Sequence, residues 1–314
     1  MRLPLLWLAP TLMLAQFQVA AHPLYVARDL VGDGTFTAGI EGPATGPDGA
    51  LYAVNFAREG TIGRVRIDDA GIASPELFVA LPDGSTGNGI RFGGDGHMYV
   101  ADYTGHNILR IDPRDRSVSV FAHEPRMHQP NDIAIAPDGT LYASDPDWSS
   151  DSGQLWRIDR DGSTRLLETG MGTTNGIEVS PDGHHLYVNE SVQRRVWRYD
   201  ITAEGGIDGK HLLIEFEDHG LDGMRSDVLG NLHIARYGAG RIAIVSPQGA
   251  LLREVALEGE KPTNVAFGGH EGRDVYVTLQ DRGAIEVFRG EHPGREWEAS
   301  VPGSLSSAPA IRNP

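Results

Sequence analysis

Short runs in which apolar and polar residues alternate recur along the chain, each broken by Gly, Pro or Asp before the next begins. In one stretch Asp132-Ile133-Ala134-Ile135-Ala136 alternates into Pro137-Asp138-Gly139, and Leu141-Tyr142-Ala143-Ser144 returns. Gln154-Leu155-Trp156-Arg157-Ile158 follows, and Ser163 to Leu167 closes the group. A period of two over a few residues is that of strands, and turns this tight make successive strands antiparallel neighbours. The pattern predicts units of four short strands. The Pro-Asp-Gly turn recurs at Pro47-Asp48-Gly49 and Pro181-Asp182-Gly183, with worn versions at Gly94-Asp95-Gly96, Leu229-Gly230-Asn231 and Glu271-Gly272-Arg273. Asp and Gly tolerate the backbone angles of a tight hairpin, so these turns are read as structural.

The units repeat. An acidic or amide residue is followed eleven or twelve positions later by Tyr or His six times: Glu41 with Tyr52, Asn88 with Tyr99, Asn131 with Tyr142, Asn175 with Tyr187, Asp222 with His233, and Asn264 with Tyr276. Successive leading residues are 47, 43, 44, 47 and 42 positions apart, a period in the range of propeller blades. The fold expected is all-β, a six-bladed β-propeller with four-stranded antiparallel blades in a single domain over residues 22–290. The last unit runs out of chain after Ala284 to Phe288, and Leu24 to Leu30 is expected to supply its outer strand and close the ring. Each leading residue stands at the start of its unit, so radial repetition gathers all six at one mouth of one channel.

Composition narrows the partners. With 314 residues, 40 Gly and 22% charged residues, the chain can bury a full core. A formal charge of -16 and the lack of any Lys/Arg run argue against a nucleic-acid groove. There is no cysteine, hence no thiol nucleophile, disulfide or thiolate metal site. Arg2, the apolar run Leu3 to Ala15 and the small residues Val19-Ala20-Ala21 read as a secretory signal peptide over 1–21, cut after Ala21. Periplasmic or secreted residence is the resulting expectation, with no membrane association beyond that leader. After Glu291 Pro, Ser and Ala dominate, and residues 291–314 are expected to form a disordered tail. A closed ring can stand as a monomer, although sequence does not fix the oligomeric state.

The leading residues are all oxygen donors. Taken singly, an Asn or Asp ahead of a strand can simply bind nearby backbone amides, and for Asn88 and Asn264 that reading stands level with a functional one. Glu41 and Asp222 are harder to explain so, because a carboxylate in a channel suffers desolvation and repulsion unless a cation or donor faces it. Hard divalent ions, calcium above all, take carboxylate and amide oxygens, and Glu41, Asn131, Asn175 and Asp222 offer four. None of the six is His or Cys, which disfavours zinc.

Glu41-Gly42-Pro43, Pro130-Asn131-Asp132, Asn175-Gly176 with Ser180-Pro181-Asp182-Gly183, Leu221-Asp222-Gly223-Met224, and Pro262-Thr263-Asn264 before Phe267-Gly268-Gly269 are similar to the gluconolactonase, senescence marker protein and luciferin-regenerating enzyme family. The resemblance spans residues 35 to 290. It implies a six-bladed propeller with a catalytic divalent metal, usually Ca2+ with Zn2+, Mn2+ or Mg2+ as substitutes. Position by position it makes Glu41, Asn175 and Asp222 ligands, and Asn131 either a further ligand or a substrate contact. It further implies a small-molecule lactone substrate of the aldonolactone kind. Related diisopropyl fluorophosphatases carry similar residues, so the site alone does not choose the substrate.

A lactone needs an electrophile at its carbonyl, a water, and a group to manage the proton; Asp222 is the expected general base. Some family members carry Arg two residues before the asparagine matched by Asn131, whereas this chain has Gln129. Either sugar-lactone recognition then falls to Gln129, Arg126 or Arg236, with Asn88 beside them at the channel mouth and Trp148 as a wall for a sugar face, or the substrate differs. His106, His123 and His128 are alternative bases of lower rank, and His184-His185 reads as a solvated pair. Ser144 and Ser191 sit in no hydrolase-type motif, and no G-x-S-x-G phrase occurs. The competing classes are a noncatalytic binding propeller and a phosphotriesterase-like hydrolase on the same metal site.

Overall fold

In the computed structural model of the chain, residues 23–300 are described. The expected signal peptide and the chain beyond residue 300 lie outside them. Six four-stranded antiparallel sheets form the blades of a propeller. Blade 1 runs over 44–80, blade 2 over 87–123, blade 3 over 133–171, blade 4 over 174–215 and blade 5 over 224–256. Blade 6 takes three strands from 262–289 and its outermost from Arg28–Val31. That strand pairs Arg28 with Val287 and Val31 with Ile285, so the ring closes with its earliest strand on its last. Closure of this kind satisfies the edge that an unfinished blade would leave open. No described helix is long and apolar enough to cross a membrane.

The alternation in sequence becomes blade-on-blade packing. Tyr52, Val54 and Ile62 of blade 1 meet Ile90, Met98 and Val100 of blade 2, all buried. Between blades 3 and 4, Tyr142 and Leu155 pack with Ile177, Leu186 and Val188 in the same way. The tight turns serve this core: the Tyr52 hydroxyl donates to Asp48 at 2.9 Å and the Tyr99 hydroxyl to Asp95 at 2.9 Å. In blades 1 and 2 the Asp of the turn and the Tyr four residues on therefore lock one hairpin, whereas in blade 3 the Tyr142 hydroxyl donates to the Gly205 carbonyl at 3.1 Å instead.

Glycines after the leading residues let the blades approach at the channel. A Cβ on Gly42 would lie 1.9 Å from the Asn88 carbonyl oxygen, and one on Gly223 would lie 1.8 Å from Asn264 Cγ. Gly42 also has φ +56, which L side chains rarely adopt.

The expected boundary at Glu291 falls too early. Val228 N–H donates to the Pro293 carbonyl at 2.9 Å and Gly294 N–H to that of Gly272 at 2.9 Å. Arg295–Ser300 then forms a short helix. A run that lacks apolar periodicity is held here by backbone bonds and by charge, as the site makes clear.

Candidate active site

Five of the six leading residues, Glu41, Asn88, Asn131, Asn175 and Asp222 among them, line one cavity of about 730 Å3 at the channel mouth. Tyr103, Trp148, Ser191, His219 and Tyr237 form part of its walls. The sixth, Asn264, is fully buried below. Its Nδ2 donates to Glu41 Oε2 at 3.1 Å, and its Oδ1 accepts from Arg225 Nη1 at 3.1 Å. Asn264 is thus a link between layers.

The cavity floor is short of donors. Glu41 is buried, with the Gly42 N–H and the Asn264 amide as partners. Burial raises its pKa, with those two bonds opposing. Burial, with the charge of Glu41 next, holds Asp222 well above the ordinary carboxylate range, against a bond from Asn175. Asn175 Nδ2 donates to Ser191 Oγ at 3.1 Å, while its Oδ1 and that of Asn131 are buried without a hydrogen-bond partner. Two crowded carboxylates and two orphaned amide oxygens are a site that a hard cation would complete. Among the described residues no three of His, Cys, Asp and Glu cluster as metal ligands, so the donor set is half amide.

Beneath this floor the charges are paired. Asp132 lies 3.1 Å from Arg91 Nη1 through Oδ1 and 3.0 Å from Arg225 Nη1 through Oδ2, all three buried. Burial pushes Asp132 up to about 7, Arg91 opposing and Glu41 adding. One level further down, Glu178 accepts from Ser226 Oγ at 3.0 Å and from Arg295 Nε at 2.9 Å. Glu296 reaches Arg91 Nε at 3.0 Å. The C-terminal helix therefore supplies charged partners to the channel's far end. Sequence reasoning did not single out Arg91, Glu178 and Arg225, yet a signal existed: each stands three positions after its leading residue, Asn88, Asn175 or Asp222.

Two expected substrate contacts lie elsewhere. Arg236 lies outside the cavity lining; its Nη2 donates to the Asp218 carbonyl and carboxylate at 2.7 Å each, and its guanidinium stacks on Phe216 at 3.9 Å. The reason is positional. Arg236 stands three residues after His233, as Asn55, Asp102, Asp145 and Glu190 stand after their Tyr, and each of these buried groups ties down a mouth loop. Gln129 also falls outside this lining, its backbone N–H held by Asp145 at 2.6 Å, and it faces a neighbouring cavity shared with Trp148. His106 and His128 line that second cavity; His123 Nδ1 meets Asn107 Oδ1 at 2.8 Å. Arg126 is paired with Glu124 at 2.8 Å.

The family described as SMP-30/Gluconolactonase/LRE-like region matches residues 38–281. The chain is 31% identical over 215 residues to the gluconolactonase of Zymomonas mobilis, a match that covers 61% of this chain and 60% of that relative. It is 24% identical over 290 residues to the diisopropyl-fluorophosphatase of Loligo vulgaris, covering 82% of this chain and 91% of the other. Regucalcin of Agrobacterium tumefaciens, whose structure is described as that of a calcium-binding protein, superposes with a TM-score of 0.72 at 20% identity, over 87% of this chain and 97% of that one.

Proposed function

The chain belongs to the SMP-30/Gluconolactonase/LRE-like family, and on that premise we propose that it is a metal-dependent hydrolase of sugar lactones, with gluconolactone as the type of substrate. The observation that carries the metal is the floor of the cavity, where the Asn131 and Asn175 oxygens lack partners beside the crowded carboxylates of Glu41 and Asp222. Those four residues would hold a divalent cation, with calcium suited to the mix of carboxylate and amide. When bound, such an ion supplies Lewis acidity at the lactone carbonyl and offsets the charge that develops there.

The chain's own groups supply the rest. Ionised Asp222 accepts the proton of the attacking water and returns it to the ring oxygen as the C–O bond breaks. Asn189, through Nδ2 on the Asp222 carbonyl at 2.5 Å, fixes the backbone that carries this carboxylate. Asn88, anchored by its amide on the Asn131 carbonyl at 3.0 Å, lines the entrance. Tyr103, Trp148 and Tyr237 shield the site from bulk water.

The test is acid release from glucono-1,5-lactone by purified protein, with calcium and after chelation. Turnover should vanish with the chelator and return with the ion; calcium-loaded protein that turns over no lactone would sink the proposal. A phosphotriesterase-like activity is the second reading, favoured by the long match to the squid enzyme, and a phosphoester arm of the same assay addresses it. We propose also that residues 1–21 direct export. Mature protein in the periplasm or medium should then begin at His22, whereas cytoplasmic protein keeping Met1 would refute it.

A further inference from the structure

Next to the active-site cavity lies a second one of about 640 Å3, with His106, Arg126, His128, Gln129, Asp147 and Trp148 in its lining. Trp148 belongs to both linings and is 38% exposed, so one indole forms the boundary between them. The main cavity alone, at about 730 Å3, has more room than one sugar ring needs, since pockets of roughly 300–1,000 Å3 take drug-sized ligands.

The second cavity is built on buried carboxylates. Asp145, fully buried, accepts the His128 N–H at 2.8 Å, the Gln129 N–H at 2.6 Å and the Gln154 amide at 2.8 Å. Asp102, equally buried, holds the loop bearing His106 through the Gly105 N–H at 3.1 Å and the Asn107 amide at 2.8 Å. His106 itself sits at φ +56, with its N–H on the Asp102 carbonyl at 3.1 Å. Both walls are therefore pinned through their backbones. Their side chains are not: among the described residues His106, His128 and Gln129 make no side-chain hydrogen bond to protein, and each can donate and accept.

The chemistry of this lining selects a class of ligand. The Arg126 guanidinium is paired with Glu124 through two bonds of 2.8 Å, which offsets its charge and weakens it as a partner for an anion. What remains is an aromatic face beside groups that both donate and accept, complementary to a sugar with its apolar C–H face and its rim of hydroxyls.

We propose that this cavity is a subsite for a second sugar unit, so that the preferred substrate is a glycosyl aldonolactone. The lactone ring lies over Asp222, and the attached sugar stacks on Trp148 with its hydroxyls toward His106, His128 and Gln129. This rests on the lactonase reading above and names the substrate class of that site.

The experiment compares kcat/KM of the calcium-loaded protein on cellobiono- and maltobiono-1,5-lactone with that on glucono-1,5-lactone. In parallel, tryptophan fluorescence follows binding of the corresponding disaccharide aldonates. The disaccharide lactone should be favoured about tenfold or more, and Trp148→Ala and Gln129→Ala should each cut that ratio several-fold, in the range of one stacking or hydrogen-bond contact. The aldonate should quench fluorescence in the native protein and not in Trp148→Ala. A native ratio at or below one, or a ratio that neither variant moves, overturns the subsite. If gluconolactone is hydrolysed while disaccharides neither bind nor react, the subsite falls and the lactonase reading stands. If no lactone reacts but the aldonate still binds through Trp148, the sugar subsite stands while the lactonase reading, and the substrate preference that rests on it, fall.

Discussion

The two ends of the channel bury similar groups and treat them oppositely. At the open mouth Glu41 and Asp222 crowd each other, and two amide oxygens point at nothing in the protein. At the far end Asp132 lies between Arg91 and Arg225, and Glu178 faces Arg295, so every charge has an opposite one beside it even though Glu178 Oε2 and Arg225 Nη2 make no hydrogen bond. Breaking a buried pair is costly and so is leaving a buried acceptor unsatisfied, so neither arrangement is accidental. A buried charge with protein partners marks architecture, whereas one without them marks a place kept for something else.

The sharpest way to break this contrast is to neutralise one carboxylate at each end. Asp222→Asn would remove both a proposed ligand and the proposed proton acceptor. The base alone is worth roughly 10²–10⁴-fold, so the combined loss should reach about 10⁴-fold in kcat. The metal-free melting temperature should hold or rise, because a strained buried acid has gone. Steady-state rates and melting curves check both, and an active Asp222→Asn would remove that residue from the chemistry. Asp132→Ala should do the opposite first. It strands Arg91 and Arg225 side by side and should cost about 3–5 kcal/mol in urea unfolding. Native-like stability there would mean that the paired layer is not structural.

This division also decides what sequence reveals. The ring was legible because hydrophobic alternation and the tight turns are local and repeat at blade spacing. The oxygen donors were legible by type and place, since Glu41, Asn131, Asn175 and Asp222 hold the same position in their units, and the structure gathers them in one cavity. The lower layer was not, because a buried charge is explained only by its partner, and Arg91 and Arg225 find Asp132 at 41 and 93 residues' distance on other blades. Arg236 misleads for the same reason: an arginine at a strand end looks free until Asp218 and Phe216 close on it. The tail misleads because Arg295 docks by ion pairing with Glu178, which no hydrophobic period announces.

The contrast sharpens with pH. Folded Glu41 and Asp222 keep their protons above the value near 4 at which the unfolded chain releases them. Asp132 does so up to about 7. Between the unfolded and folded values the folded state holds more protons, so metal-free stability is greatest at the acid end of that window and falls as pH rises. A cation competes with the protons at Glu41 and Asp222, so its stabilisation should grow in the same direction. At a hundredfold excess over Kd it is worth about 2.7 kcal/mol, or roughly 4–5 °C in Tm for a domain of this size. Melting curves with calcium and with chelator at pH 5 and pH 7.5 measure it. A calcium shift that does not change between them would argue against carboxylate ligands with raised pKa values.

The smallest effect probes whether the two ends communicate. Glu296 is 40% exposed at its side chain and lies 3.0 Å from Arg91, which keeps Asp132 at 3.1 Å and the Ile177 carbonyl at 3.3 Å without it. An ion pair with one solvated partner contributes about 1 kcal/mol or less, so Glu296→Ala should lower stability by that much. Turnover should not move, since Arg91 still has the partners that position Asp132. A fall in kcat larger than the fall in stability would show otherwise. Rotation of Arg91 would then reach Asp132, Asn264 and finally Glu41, whose Oε2 takes the Asn264 amide. In that outcome the C-terminal helix sets the geometry of the open mouth, and the paired layer is a support for the ligands as well as for the fold.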